Sequence, residues 1–210
     1  MYRFLETIRI ENGVPCNIEG HLLRMKRTLG KNFDTFETIF IAKGGVIVPE
    51  KFSTGIVKAR MLYDEKHFNI SFSKYKKRDI SRLILIKNKG IIYNKKFSDR
   101  SALDHISANL DQKSDFLLVN RGLITDTSYC NVALQMGHKW FTPSYPLLDG
   151  TQRRQLLNNK TIFYKRIHVE DLQFYTSIKL FNAMMTWDEA IELPISCIIN
   201  DLRPKRDAQK

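Results

Sequence analysis

The spacing of apolar positions changes repeatedly along the first 75 residues, and each change marks an element. Over residues 2–11 the apolar positions alternate, with Phe4, Ile8 and Ile10 on one face and Leu5, Thr7 and Arg9 on the other, which predicts a strand. Asn12-Gly13 follows, a pair suited to a two-residue hairpin turn. Over residues 19–29, Leu22, Met25 and Leu29 recur at helical spacing and leave Arg24 and Arg27 on the opposite face. A second helix is expected over residues 34–42, stopped by the breaker pair Gly44-Gly45. Residues 54–63 and 67–75 read as an antiparallel hairpin around Asp64-Glu65-Lys66, with Arg60 sharing a face with Ile56, Lys58 and Leu62.

The basic segment at 74–79 is expected to separate two domains. Residues 1–78 would be a small α+β domain, residues 79–202 a larger, mostly antiparallel β domain with helices, and residues 203–210 a frayed basic tail. In the second domain Leu83-Ile84-Leu85-Ile86 reads as a buried strand stopped by Asn88-Lys89-Gly90. Ser98 or Asp99 can then cap a helix carrying Ala102, Leu103, Ile106 and Leu110. Four short strands at 115–120, 123–126, 132–136 and 139–142 turn at Gly122 and Gly137-His138, and a polar bend at 125–131 interrupts them. Gly150-Thr151 opens a helix carrying Leu156 and Leu157. Residues 162–169 and 179–185 read as strands with a short helix at Glu170-Asp171-Leu172 between them, and the last apolar run is 195–199.

Charge narrows the partners. Thirty-four Lys and Arg against 22 Asp and Glu leave a net charge of +12, but the clusters (Lys74 with Lys76-Lys77-Arg78, and Arg203 to Arg206) lack the regular aromatic interleaving of a single-strand binder, which favours a small anionic ligand over nucleic acid. No run of about 18 apolar residues and no uninterrupted apolar leader is present, so a cytoplasmic protein without membrane attachment is expected. Cys16, Cys130, Cys197 and the five histidines show neither disulfide nor metal-ligand spacing, so reduced thiols and no metal are expected.

Two positions suggest chemistry. Lys96 stands just before a helix N-terminus, whose partial positive charge disfavours a protonated amine, and such a lysine suits imine formation. An ordinary solvated lysine fits the local pattern as well. Gly150-Thr151 at a helix start offers free N–H groups to a phosphate.

Four features stand in order along the chain: His21-x-x-Arg24 on the first helix, Lys96-x-x-x-Arg100 before the central one, Asp126 in the polar bend that Asn131 closes, and Gly150-Thr151. With Phe4-Leu5-Glu6-Thr7-Ile8-Arg9, Phe116-Leu117-Leu118-Val119-Asn120 and Trp140-Phe141-Thr142-Pro143, they make the chain resemble the class IV, fold-type IV pyridoxal-phosphate enzymes over about residues 4–200. That group holds branched-chain aminotransferase, D-amino acid aminotransferase and aminodeoxychorismate lyase. The resemblance implies the two-domain fold of D-amino acid aminotransferase, pyridoxal 5'-phosphate as cofactor and a homodimer. It makes Lys96 the lysine that forms the imine and moves the proton at the substrate α-carbon, the spacing to Arg100 selecting it over Lys95. Arg24 would contact the cofactor phosphate, Gly150 and Thr151 would cradle it, the backbone of Tyr129 would face it, and Arg100 would lie near the phenolic oxygen, with Asn131 a further cofactor contact.

Asp126 falls where the family has a glutamate that binds the pyridine nitrogen; being one methylene shorter, its contact is expected to lengthen or to pass through water. Compared with typical members the chain lacks a strand and turn before Phe4, so part of the substrate wall is expected to be missing. An arginine at position 100 resembles the lyase branch, which releases pyruvate from 4-amino-4-deoxychorismate to leave 4-aminobenzoate in folate biosynthesis. Arg9 and Arg60 could then line a cleft for a dicarboxylate, although sheet-edge solvation or an internal ion pair fits each equally. A transaminase on the same cofactor and a fold relative without catalysis are the alternatives.

Overall fold

The computed structural model describes residues 2–200, and the tail expected at 203–210 lies outside them. Strands β1 (Phe4–Glu11) and β2 (Val14–Pro15) form the first hairpin. Its turn places Asn12 at φ 48° and Gly13 at φ 82°, the left-handed pair that a twist-matched hairpin requires. Helices α1 (Ile18–Leu29) and α2 (Phe33–Ala42) follow, then β3 (Ile56–Tyr63) and β4 (Phe68–Lys74). The antiparallel sheet runs β2-β1-β3-β4, and every residue of β1 is paired with β3. The helices pack on it through Met25, Leu29, Phe33, Phe36 and Phe40, which meet Phe4, Met61 and Tyr63. Phe36 is wholly buried and contributes about 2–3 kcal/mol through that burial alone.

Strand β5 (Arg82–Lys87) runs parallel to β6 (Ser114–Asn120), because the connection between them is long enough to cross over and carries α3 (Ser101–Ser107). Strands β7 (Leu123–Thr127), β8 (Asn131–Met136) and β9 (Lys139–Pro143) are the expected short strands, followed by α4 (Thr151–Asn158). The remaining strands are β10 (Phe163–Lys165), β11 (Ser177–Phe181), β12 (Ile191–Pro194) and β13 (Ile198–Ile199). They complete two sheets, ordered β13-β5-β6-β7 and β10-β9-β8-β11-β12. Leu83, Leu85, Leu117, Val119, Val132, Leu134, Ile178 and Leu180 form one buried cluster that joins these two sheets. The whole is a mixed α+β fold.

Three segments differ from their periodicity. The run at 162–169 is split: the three residues of β10 pair with β9, while His168 makes an isolated bridge to Leu123 of β7. The strand expected at 179–185 begins at Ser177 and ends at Phe181. Asn182 then turns the chain, its Oδ1 accepting the Met184 N–H at 2.8 Å. Helix α3 stops at Ser107, leaving Leu110 beyond it although still packed against the same cluster.

Candidate active site

The segment around Lys96 is fastened to β1. Leu5 N–H donates to Lys96 O at 2.9 Å, Ser98 N–H donates to Arg3 O at 3.0 Å, and Phe97 pairs with Phe4 in an isolated bridge. Phe97 N–H donates to Lys95 O at 2.9 Å, so the chain turns tightly at Lys96. Lys95 reaches the first helix, where its Nζ donates to Thr28 O at 2.8 Å. Lys96 instead lines a cavity of about 390 Å³. Burial draws its amine down to about 7, Arg24 and Arg100 push the same way, and Glu6 opposes them. The sequence alone suggested a helix end as the cause. Helix α3, however, starts only at Ser101, whose N–H is taken by Asp99 Oδ1 at 2.9 Å.

One wall comes from β1 and α1. The Glu6 carboxylate, wholly buried, accepts Arg24 Nε at 2.8 Å on Oε1, and Arg24 Nη2 and His21 Nδ1 on Oε2, the latter at 2.6 Å. Burial works to raise the Glu6 pKa, but Arg24 and His21 together hold it at about 2. Burial keeps His21 below its ordinary value, so it serves as a neutral donor. Sequence reasoning passed over Glu6. The available signal was a carboxylate between Phe4 and Ile8 on an apolar strand face, a position that demands a cationic partner.

The facing wall comes from the end of β7, the bend after it and the start of α4. Asp126 lines the cavity, with Oδ1 accepting Asn131 Nδ2 at 3.0 Å and Oδ2 accepting Leu148 N–H at 2.8 Å. Burial lifts it to about 6 despite these two bonds. Asn131 Nδ2 also donates to Leu148 O at 2.8 Å, tying the bend to the loop before α4. Gly150 lies so close to Asn131 that an added Cβ would collide with Asn131 Oδ1. Thr151, the first residue of α4, has a buried hydroxyl without a hydrogen-bond partner. The Tyr129 hydroxyl is in the same condition, and the Arg78 guanidinium stacks 4.9 Å from the Tyr129 ring centre. Arg100 crosses toward this bend, Nη2 donating to Ser128 O at 2.7 Å, while its guanidinium lies 5.6 Å from the Tyr93 ring centre.

Lys58, Arg60, Lys76 and Arg78 complete the cavity lining with positive charge, and Lys58 and Arg60 share one face of β3. Arg9 is not part of the lining. Its Nη1 donates to Met184 O at 2.8 Å and to Glu189 Oε2 at 2.5 Å, so it ties β1 to the turn after β11. That turn gives Asn182, Ala183 and Met184 to the cavity. The structure thus gathers Lys96, Arg24, Arg100, Asp126, Tyr129, Asn131, Gly150, Thr151 and Arg60 around one space and leaves Arg9 behind its wall.

Among the described residues no cluster of His, Cys, Asp and Glu could hold a metal, and no helix is long and apolar enough to cross a membrane. The cavity suits a phosphorylated aldehyde instead. The unpartnered Thr151 hydroxyl and the free N–H groups of the first turn of α4 provide an anion site. An amine with a strongly depressed pKa and a lone carboxylate line the same space.

No family model matches the chain. An uncharacterized protein of Haemophilus influenzae is 31% identical over 185 residues, covering 88% of this chain and 98% of that one. The crystal structure of a Haemophilus somnus protein provisionally described as a 4-amino-4-deoxychorismate lyase superposes with a TM-score of 0.76 at 28% identity, over 88% of this chain and 97% of that one. A hypothetical aminotransferase of Mycobacterium tuberculosis in its PLP-bound form shares the fold at 17% identity, with a TM-score of 0.68 over 91% and 80% of the two chains. The chain belongs to the class IV pyridoxal-phosphate fold family of 4-amino-4-deoxychorismate lyases and aminotransferases.

Proposed function

We propose that the protein is a pyridoxal-phosphate enzyme that converts 4-amino-4-deoxychorismate to 4-aminobenzoate and pyruvate. The observation carrying this is the meeting of Lys96, Asp126 and the unpartnered Thr151 hydroxyl on a cavity whose other charged lining residues are all cationic. Thr151, the backbone at Gly150 and Tyr129, and Arg24 would hold the phosphate, with Asp126 at the ring nitrogen, Asn131 steadying Asp126, and Arg100 near the phenolic oxygen. When bound, the cofactor supplies an aldehyde that condenses with amines and a ring that takes up electron density.

The chain's own residues account for the rest. Lys96, close to half-neutral near pH 7, can take a proton from the substrate carbon bearing the amine and return it. Arg60, Lys58 and Lys76 would bind the two carboxylates of the substrate from the cavity wall. Two lobes dividing near residue 78 are part of the proposal, and so are a homodimer and a cytoplasmic location.

Purified protein given 4-amino-4-deoxychorismate is expected to release 4-aminobenzoate. Transfer of an amino group to 2-oxoglutarate without that product would make the protein a transaminase, and neither activity would leave it a fold relative without catalysis. Lys96→Ala is expected to lower turnover by about 10³-fold or more. It should also abolish attachment of the cofactor by borohydride reduction, read by peptide mass spectrometry. Lys95→Ala should keep both, and a label on Lys95 would overturn the assignment.

A further inference from the structure

Glu6 lies between Phe4 and Ile8 on β1, and all three are buried. A carboxylate in such a place is stable only when its charge is met. Arg24 meets it through two guanidinium nitrogens, Nε and Nη2, and neutral His21 adds a third hydrogen bond. Paired donation of this kind fixes the plane of the guanidinium. Nη1 is then the nitrogen of Arg24 without a hydrogen-bond partner among the described residues, on a side chain that lines the cavity beside Lys96 and Thr151.

The surroundings of Lys96 give the pair a second meaning. Arg24 from α1, Glu6 from β1, Arg100 ahead of α3 and Cys130 between β7 and β8 all act on the amine, and His21 feels its charge. Burial pushes the Cys130 thiol well above its usual range, so it stays neutral. That leaves two cations against one ionised carboxylate.

We infer that Glu6 is a positioning residue of this cavity, which locks Arg24 with one nitrogen free for an anion and supplies the negative charge that offsets Arg24 beside Lys96. The first half rests on the cavity being a pyridoxal-phosphate site; the second does not. A carboxylate kept only for packing would leave both the titration of Lys96 and the choice of ligand untouched.

The test uses the full chain without cofactor. Competitive acetylation read by mass spectrometry gives the titration midpoint of Lys96, and binding of pyridoxal phosphate against pyridoxal gives the contribution of the phosphate. Glu6→Gln is expected to lower the midpoint by roughly one pH unit and to cut the preference for the phosphorylated ligand on the order of tenfold. Glu6→Asp keeps the charge but shortens its reach, so the midpoint should hold while the preference falls. Where Glu6→Gln does not fold, Glu6→Asp decides alone, and an unchanged preference overturns the inference. An unchanged midpoint in folded Glu6→Gln overturns the charge-offsetting half. If the unaltered protein shows no preference for the phosphorylated ligand, the phosphate assignment fails and the orienting half fails with it, while the titration still judges the other half.

Discussion

On the wall built from β1 and α1, each buried charge has its counter-charge in contact: Glu6 holds Arg24, and His21 fills the remaining position. On the wall built from the β7 bend and α4, Asp126 has only neutral donors, and Thr151 has a hydroxyl with no partner at all. The first wall has Glu6 and Arg24 paired before any ligand arrives, with Arg24 Nη1 left over. The second meets the cost of burial only in part, through two neutral hydrogen bonds to Asp126 and the charge of Arg153, and a ligand with a phosphate and a protonated nitrogen would relieve it further at both points. Preorganisation and unmet need thus face each other across one cavity, and their responses to substitution differ in size and in sign.

The largest effect is expected on the first wall. Arg24→Met strands the Glu6 carboxylate in the interior and should cost about 3–5 kcal/mol, read as a fall in the denaturant midpoint. A loss below about 1 kcal/mol would mean that the wall is not held by charge pairing. A smaller effect is expected at Asp126, and it depends on pH. The unfolded chain ionises this group near its ordinary 3.8, while the folded chain keeps it protonated to about 6. The folded state therefore binds the extra proton between those values. Stability is fully present below the lower value and is lost as pH rises through about 6, by on the order of 2–3 kcal/mol. Asp126→Asn should flatten that slope in thermal melts; an unchanged slope would remove Asp126 as its source. The smallest effect has the opposite sign. Thr151→Val removes an unsatisfied hydroxyl and should leave the ligand-free protein equally stable or firmer by about 0.5–1 kcal/mol. Pyridoxal phosphate should bind it more weakly, and a destabilised, normally binding variant would show that Thr151 belongs to the scaffold instead.

Much of the fold could be read from local rules. The alternation in β1, the Asn12-Gly13 turn and the spacing of Leu22, Met25 and Leu29 each report a structure decided within a dozen residues. The strand at 179–185 was misplaced because its partners, Ala133 and Leu134 on one side and Leu193 on the other, lie far away in sequence. Strand β12 escaped for a similar reason, since Ile191 and Leu193 alternate over only four residues and are fixed by pairing with β11. At the site, the lysine and the helix start were visible as motifs. The destination of Arg9 was not: an arginine on a strand face looks the same whether it meets a ligand or, as here, Glu189. Nor could the depressed pKa of Lys96 be traced from sequence to burial and to Arg24, which comes from 72 positions earlier in the chain.

The clasp between Arg9 and Glu189 joins residues 180 positions apart. In the order of synthesis, β1 emerges long before the turn at 182–184 that is drawn against it. Contacts of such separation carry a high loop-closure entropy and form late in folding. The cavity is therefore finished only once the segment after β11 has been made, and a chain synthesised short of it, with the β1–β3 pair already formed, would hold only part of the pocket.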